Sequence, residues 1–454
     1  MIKMMMTKRK VKKNRLAAVA AVICSAMMLG SCSVSEIFNN LPGENATELY
    51  SHPETATVPP PETAPETELP PETVEAAAET QPEAAETEES SSEAEKKLVI
   101  LNAPGNSLAA EYFLDGETDQ TKDGYRKVYE GIYNYQSVIE VEHGVFTTEQ
   151  MTDLINFVVE TGLGLDTPES SYRMYVDGDN MVTKVEFTYS RSFEEGGQMY
   201  EQLMSKADEI VKEAQPLITE YDKVKYFHDT IINNCSYDTA AVNGHAAYGA
   251  LCDGKASCEG YSKAFTLLCD RAGITALPVH GPSTDTGGNT EGHLWNKVLC
   301  DGEWYNIDVT WDDPSGNTDN LRYDYFLIDD TSCSRSHTAE TNIYMNYPLA
   351  TNAFGDYYTR NGLVIGYDSD IYDQLYFLTS SGLPEETAQG IIDFRCLDEN
   401  LYTQIKQQYF TDAADGTKGF SDILKMFMQP GESLRYEFSD NPQTYTFHIT
   451  VTRN

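Results

Sequence analysis

Regular patterns of apolar and polar residues begin at Leu98 and continue to the end of the chain. Between residues 98 and 195, short stretches alternate with the period of a strand, and turn residues separate them. The predicted elements are a strand at 136–142, a helix from the capping box Thr147-Thr148-Glu149-Gln150 to Gly162, and a hairpin of 172–176 and 181–189 around Asp177-Gly178-Asp179-Asn180. We expect residues 98–195 to form a small α/β domain.

Helical spacing dominates the next stretch, from about Gly197 to Gln215. Thr219 is then placed to cap a second helix, whose apolar face consists of Val224, Phe227, Ile231 and Ile232. His228 lies beside this face. A histidine in such a position is usually a packed or surface residue, so we interpret it as structural.

A third helical pattern begins at Cys258, directly after Gly254-Lys255-Ala256-Ser257, and ends at Gly273. Its apolar face consists of Tyr261, Ala264, Phe265, Leu268 and Ala272. Cys258 therefore lies in the first turn, where the helix dipole favours a thiolate. The backbone N–H groups of the same turn can face a developing oxyanion.

Two strand patterns, 293–300 and 303–310, flank the dipeptide Asp301-Gly302. Such a two-residue loop predicts a type I′ hairpin in which Trp295 opposes Asp308 and His293 opposes Thr310. One predicted face carries His293, Trp295, Lys297, Trp304, Asn306, Asp308 and Thr310, and the other, which we assign to the core, carries Val298, Tyr305, Ile307 and Val309. His293 and Asp308 are then diagonal neighbours, about 7–8 Å apart between backbones and within side-chain reach.

Residues 346–454 predict a separate C-terminal α/β domain. Strand alternation occurs at 434–438 and 445–451, and Leu383-Pro384-Glu385-Glu386 has the proline and acidic residues of a helix start. We find no pattern typical of catalysis in this region. We expect it to support the catalytic domain or to recognise substrate.

The first 32 residues have the composition of a secretory signal. Seven basic residues and no acidic one precede an apolar run, Leu16 to Leu29, that is too short to span a bilayer. The run ends in Leu29-Gly30-Ser31-Cys32, which resembles a bacterial lipobox, whose cysteine becomes the lipidated N-terminus. We expect a membrane-anchored lipoprotein on the extracytoplasmic face, with lipid on Cys32. A plain secretory signal with an incidental cysteine is the alternative.

Residues 33–97 are rich in Pro, Glu, Thr and Ala, and they hold few large apolar residues. Such a segment cannot bury enough surface to offset chain entropy, so we predict a disordered, extended linker. The whole chain has 32 basic and 72 acidic residues, with a net charge of −40. This charge argues against nucleic acid as a partner, and it leaves the N-terminal lipid as the expected contact with a membrane.

Nine cysteines are present, of which Cys24 falls in the signal and Cys32 at the lipobox. The seven that remain cannot all pair, so at least one thiol stays free. Their spacing contains no CxxC and no Cys/His cluster typical of zinc, so we expect no structural metal and no cofactor.

Cys258, His293 and Asp308 follow one another at intervals of 35 and 15 residues. A thiol, an imidazole and a carboxylate in this order can serve as nucleophile, base and orienting group. The segments around them resemble the transglutaminase-like superfamily, namely Ser257-Cys258-Glu259-Gly260-Tyr261, His293-Leu294-Trp295-Asn296 and Trp304-Tyr305-Asn306-Ile307-Asp308-Val309-Thr310-Trp311. The resemblance extends upstream to Phe227 and downstream to Leu327.

This resemblance implies an α+β, papain-related fold for residues 196–345, with the Cys258 helix packed on an antiparallel sheet. It implies that Cys258 attacks a peptide, isopeptide or glutamine carboxamide carbonyl and forms a thioester, with His293 as base and Asp308 as orienting group. The Cys-Gly-Ser-Cys-Trp motif of papain is absent and the third residue is Asp instead of Asn, so papain-type specificity is not implied.

Further site residues are expected around the triad. The family places an upstream side chain in the oxyanion site, and Tyr248 is the candidate, with a core tyrosine as the alternative. Candidate cleft residues are Trp295, Trp304, Asn306 and Trp311. His280 is an alternative base, whereas His245 has no carboxylate at a recognisable spacing. A Cys252–Cys258 disulfide would remove the nucleophile.

Three functions remain open: a thiol hydrolase, a crosslinking acyltransferase, and a non-catalytic surface binding module. The expected partner is a protein or peptide substrate, including one associated with the cell wall. A tethered enzyme exposed to bulk water favours hydrolysis, so we prefer a hydrolase that acts as a peptidase.

Overall fold

The computed structural model describes residues 105–164, 172–313, 321–384, 387–411 and 419–454. The predicted signal (1–32), the linker (33–97) and Cys32 lie outside these residues, so lipidation and location remain predictions. Within the described part of the chain, no helix combines the length and the hydropathy that a membrane span requires.

The N-terminal part contains α1 (Leu108–Leu114), α2 (Asp119–Tyr133), β1 (Val138–Glu140), α3 (Thr148–Thr161), β2 (Tyr172–Val176) and β3 (Val182–Phe187). The three strands form an antiparallel sheet in the order β1-β3-β2. The capping box before α3 is present, since the Thr147 side chain accepts from the Gln150 N–H and the Gln150 side chain accepts from the Thr147 N–H. The helix and hairpin predictions are confirmed, and β1 is shorter than predicted.

Two capped helices lead to the Cys258 helix. The elements are α4 (Phe193–Ala214), α5 (Glu220–Asn234), β4 (Ser236–Tyr237), a π-helical turn (Gly249–Asp253), β5 (Lys255–Ala256) and α6 (Cys258–Arg271). Helix α4 begins before the predicted Gly197 because Ser192 and Glu195 form a second capping box. The Thr219 side chain caps α5 as predicted, by accepting from the Asp222 N–H.

The central sheet consists of β6 (Ala276–Thr284), β7 (Thr290–Cys300) and β8 (Glu303–Ile307), paired antiparallel with β7 in the middle. Asp301 and Gly302 have positive φ angles of 53° and 84°, as a type I′ turn requires. The resulting register, with Cys300 opposite Glu303, is confirmed.

The β7–β8 ladder ends at the pair Asn296–Ile307, so the predicted pairs Trp295–Asp308 and His293–Thr310 are wrong. The chain leaves the sheet at Asp308, whose N–H donates to the Tyr325 carbonyl at 3.2 Å.

The side chains of β8 and of the residues after it lie on the two faces that the alternation predicts. Val298, Tyr305, Ile307 and Val309 are buried in one cluster with Tyr261, Phe265 and Leu268 of α6. The opposite face is also covered. Trp295, Asn306 and Asp308 are each buried there, so this sheet is enclosed on both sides.

The C-terminal part contains α7 (Asp330–Cys333), α8 (Tyr357–Arg360), β9 (Val364–Ile365), α9 (Ile371–Gly382), β10 (Gln389–Cys396), α10 (Glu399–Ile405), a π-helical turn (Lys406–Thr411), α11 (Phe420–Lys425), β11 (Leu434–Asn441) and β12 (Thr446–Arg453). A sheet in the order β11-β12-β10-β9 confirms the two predicted strands. The predicted helix start at Leu383-Pro384 is wrong. Asp370 caps α9, and Pro384 instead follows its end, where proline prevents a helix from continuing.

Helices and mostly antiparallel sheets make this an α+β fold, which confirms the predicted class. The buried clusters cross the predicted domain boundaries. The N-terminal cluster includes Leu277 of β6 together with Tyr344 and Met345, and the central cluster includes Tyr358. The division into domains 98–195, 196–345 and 346–454 therefore remains a prediction.

Candidate active site

Cys258 is the first residue of α6 and is half-buried. Ser257 precedes it in an extended conformation, and its hydroxyl donates to the Gly244 carbonyl at 3.1 Å. Gly260 follows, and a Cβ there would lie 2.4 Å from the same carbonyl oxygen. The close approach of the Gly244 backbone therefore requires glycine in the first turn and holds the start of this helix in place.

The His293 imidazole lies between a carboxylate and the Cys258 thiol. Its Nε2 contacts Asp308 Oδ2 at 2.6 Å, and both side chains are buried. Because Nε2 is taken, Nδ1 is the nitrogen left for the hydrogen bond to Cys258. Burial opposes protonation of the ring, but the charge of Asp308 and both hydrogen bonds raise the pKa of His293 to about 10.

Asp308 is held by the turn that follows β8. Its Oδ1 accepts the Thr310 and Trp311 N–H groups at 3.0 and 3.1 Å. Burial would raise the pKa of this carboxyl, but the charge and hydrogen bond of His293, with a further hydrogen bond from His337, hold that pKa well below its usual range. Asp308 is therefore an anion at neutral pH.

His337 is a fourth member of the site that sequence reasoning missed. Its Nε2 lies 3.0 Å from Asp308 Oδ2, the oxygen that also contacts His293. It stands in Ser334-Arg335-Ser336-His337-Thr338, where the sequence shows neither strand alternation nor a recognised motif. A bridge to Ser283 on β6 brings it into the site, and that pairing is a long-range contact.

Tyr237 lies close enough to Cys258 to feel the charge of a thiolate there. It is the last residue of β4, which pairs with β5 directly before the Cys258 helix. Partial burial raises the pKa of Tyr237 to about 12, and the charge on Cys258 contributes. The hydroxyl of the sequence-based candidate Tyr248 donates to Gln202 Oε1 at 2.7 Å.

Comparison with known proteins agrees with this geometry. Residues 205–309 match the family model described as the transglutaminase-like superfamily. This segment is a transglutaminase-like domain. The predicted recognition is confirmed for these residues.

Among curated proteins, human Kyphoscoliosis peptidase is 30% identical over 120 residues, covering 24% of this chain and 18% of that protein. The chain therefore matches less than a fifth of that relative's length. Among solved structures, one of a TGase is 21% identical, covers 33% of this chain and 45% of its own, and has a TM-score of 0.22. A candidate cysteine protease from Cytophaga hutchinsonii is 13% identical, covers 31% and 61%, and has a TM-score of 0.20.

Two of the four candidate cleft residues border the imidazole ring of His293. The Trp311 ring lies 5.4 Å from that of His293, and the Trp295 ring is stacked 6.2 Å from it. Asn306 supports Trp295 by accepting from its indole N–H at 3.5 Å. Trp304 is not brought to the triad and packs edge-on against Tyr112 of α1.

The alternative site residues have other partners. His280 contacts Glu160 at 3.1 Å. His245 contacts Glu259 at 3.0 Å, a carboxylate partner that the sequence spacing did not predict. His228 is fully buried between Asp229 and Asp312, in agreement with a structural role. The seven cysteines of the described residues are free, so the Cys252–Cys258 disulfide is not formed.

One group of metal-capable side chains occurs in the described residues, namely His293, Asp308 and His337, whose ligand atoms lie within 4.8 Å of one another. Both imidazole Nε2 atoms already contact Asp308 Oδ2. A charge-assisted hydrogen-bond network accounts for this arrangement without an ion.

Proposed function

We propose that the protein is a thiol hydrolase that cleaves peptide, isopeptide or glutamine carboxamide bonds through a thioester on Cys258. The observation that carries this proposal is the 2.6 Å contact between His293 Nε2 and Asp308 Oδ2, with the other side of the ring on the thiol. A carboxylate in this place holds one ring orientation and stabilises the imidazolium.

The reaction starts from the form of the site in which His293 is an imidazolium, favoured by its pKa of about 10, and the proton of Cys258 has been removed. The Cys258 sulfur attacks the substrate carbonyl carbon, and the carbonyl electrons move to oxygen. As the tetrahedral intermediate collapses, the carbon–nitrogen bond breaks and His293 gives its proton to the leaving amine or ammonia. A thioester on Cys258 and a neutral His293 remain.

Water then completes the reaction. Because the acylated sulfur carries no charge, one cause of the high pKa of His293 is gone, and the neutral ring accepts a proton from the attacking water. Collapse of the second tetrahedral intermediate releases the carboxylic acid and the Cys258 thiolate, and His293 retains the proton.

Two groups are our candidates for stabilising the oxyanion. One is the backbone N–H of Cys258 in the first turn of α6. The other is the Tyr237 hydroxyl, which keeps its proton near neutral pH because its pKa is about 12. Tyr237 replaces Tyr248 in this proposal.

Hydrolysis is favoured over acyl transfer because Cys258 is half-buried instead of enclosed, so a thioester there is open to water. We further propose that lipid on Cys32 and the extended linker hold the enzyme on the extracytoplasmic face of a membrane, near protein or peptide substrates.

The test is alkylation of the full chain with iodoacetamide, with each site located by mass spectrometry. Cys252 is the internal control, since it is the more exposed thiol. An activated site labels Cys258 first at mildly acidic pH, and His293→Ala abolishes this preference. Labelling in order of exposure, with Cys252 first, would contradict the proposal and favour a binding module.

A second assay separates the two reactions. A glutamine-containing peptide is incubated with the full chain, with and without a primary amine. Release of ammonia or of a cleaved peptide at equal rates in both samples supports hydrolysis. Quantitative incorporation of the amine would assign the protein as an acyltransferase instead.

A further inference from the structure

The Asp308 carboxylate receives four hydrogen bonds. Its Oδ1 accepts two backbone N–H groups, from Thr310 and Trp311. Its Oδ2 is shared by two imidazoles, with His293 Nε2 at 2.6 Å and His337 Nε2 at 3.0 Å. His293 therefore competes with a second donor for the oxygen that orients it.

The tautomer of His337 follows from its two partners. An ionised carboxylate only accepts hydrogen bonds, so Nε2 of His337 must carry a proton. Its Nδ1 lies 2.7 Å from the Ser336 hydroxyl, which can donate to a neutral ring. Burial lowers the pKa of His337 despite the neighbouring Asp308, which agrees with the neutral form.

Packing leaves His337 little freedom. The side chain is buried, and aromatic rings lie on several sides, with Trp311 at 4.5 Å, Trp295 at 4.9 Å and Tyr325 at 5.3 Å between centroids. The backbone N–H of His337 donates to the Cys333 carbonyl at 2.9 Å. The other titratable groups around this network are Cys258, Tyr237, Tyr325, Cys333 and Lys297.

We propose that His337 is a positioning residue. It holds the Asp308 carboxylate by donating a hydrogen bond from a neutral Nε2–H group, and it thereby weakens the electrostatic attraction between Asp308 and the His293 imidazolium. This inference rests on the proposed function, since it concerns the same triad. A donor that shares Oδ2 disperses its negative charge, so less of that charge acts on the His293 ring. The backbone N–H groups on Oδ1 keep Asp308 in place if His337 is replaced.

The test measures the rate of Cys258 alkylation against pH in the full chain. The alkaline limb reports loss of the His293 proton and is expected near the pKa of about 10. In His337→Leu the alkaline limb of the pH–rate profile is expected to move to higher pH by about half a unit or more, because the Asp308 Oδ2 then accepts a hydrogen bond from His293 alone. His337→Gln places an amide N–H near Nε2 and is expected to move the limb back towards that of the native protein.

A folded His337→Leu variant with an unchanged limb would overturn the inference. A native protein in which Cys258 reacts no faster than Cys252 would instead overturn the proposed function, so the two failures differ.

If His337→Leu does not fold, ¹⁵N-histidine NMR on the native protein decides, with the His337 signals assigned from the Gln variant. The expected signals are those of a neutral Nε2–H tautomer at neutral pH. An imidazolium or an Nδ1–H tautomer would contradict the proposal.

Discussion

The Tyr325 hydroxyl donates a hydrogen bond to Gln443 Oε1 at 3.0 Å, and this contact ties the C-terminal part of the chain to the wall of the candidate active site. The Tyr325 ring packs edge-on against Trp311 and against His337. Gln443 also donates from Nε2 to the Thr284 carbonyl at 2.7 Å. The C-terminal part therefore belongs to the scaffold of the site, although the family match ends at residue 309.

Replacing Gln443 by alanine tests this connection. The change leaves the Tyr325 donor and the Thr284 carbonyl without their partner, which is expected to lower the free energy of unfolding by about 1–3 kcal/mol. Because Tyr325 loses one of the hydrogen bonds that fix its ring against Trp311 and His337, alkylation of Cys258 is expected to slow as well. Denaturant unfolding and the alkylation rate measure the two effects. Gln429→Ala, at an exposed position of the same part, should change neither, and an equal effect there would argue against the connection.

Asp308→Asn removes the charge that holds the His293 imidazolium. The pKa of His293 is then expected to fall from about 10, so the alkaline limb of Cys258 alkylation moves to lower pH. Turnover of a peptide substrate is expected to fall by about 10⁴-fold, the loss found when the carboxylate of such a triad becomes an amide. Asp179→Asn changes the same charge on an exposed hairpin and serves as control. An alkaline limb that stays in place would refute this account of Asp308.

Gly260→Ala is expected to damage the start of the Cys258 helix, because its Cβ would meet the Gly244 carbonyl oxygen at 2.4 Å. The backbone must shift, at a cost of about 1–3 kcal/mol of unfolding free energy. Gly197→Ala is the matched control, since that helical glycine has nothing within 4 Å of an added Cβ. It should stabilise the protein by up to about 1 kcal/mol. Equal melting temperatures for the two variants would contradict this prediction.

We expect the protein to lose stability at alkaline pH because of His448. Its Nε2 lies 3.0 Å from Asp324 and its Nδ1 lies 3.2 Å from Asp393. Burial opposes the charge, but these carboxylates raise the pKa of His448 to about 10. Since the unfolded value is about 6.5, the stabilisation is complete below that pH and disappears as the pH rises towards 10. The melting temperatures of the native protein and His448→Gln should therefore differ most near pH 6 and converge near pH 10. A difference in melting temperature that stays constant with pH would show that the ion pairs of His448 with Asp324 and Asp393 are not its source.

Cys32→Ser tests the anchor. If Cys32 carries lipid, metabolic labelling with an alkyne-bearing fatty acid marks the native chain and not the variant, and the variant leaves the membrane fraction. Cys24→Ser is the matched control and should keep both label and location. Labelling of the Cys32→Ser variant, or no labelling of the native chain, would show that Cys32 is not the lipidated residue.

The local elements of this protein could be predicted from its sequence because short-range interactions specify them. The Thr147 capping box forms between residues three apart. Asp301 and Gly302 tolerate the positive φ angles of a tight turn, and that turn sets the register of β7 and β8. Side-chain alternation along these strands then predicted His293 and Asp308 on one face, although the β7–β8 pairing itself ends before both residues.

Long-range packing determined the rest of the candidate site. His337 reaches Asp308 because its segment pairs with β6. Tyr237 comes within electrostatic range of Cys258 because β4 pairs with β5, directly before the Cys258 helix. Neither pairing leaves a periodic signal in the residues concerned. Asp308 left the predicted ladder because its N–H donates to Tyr325 and its side chain accepts from the next turn. Local propensity is encoded within a few neighbouring residues, whereas such contacts depend on which distant surfaces the folded chain brings together.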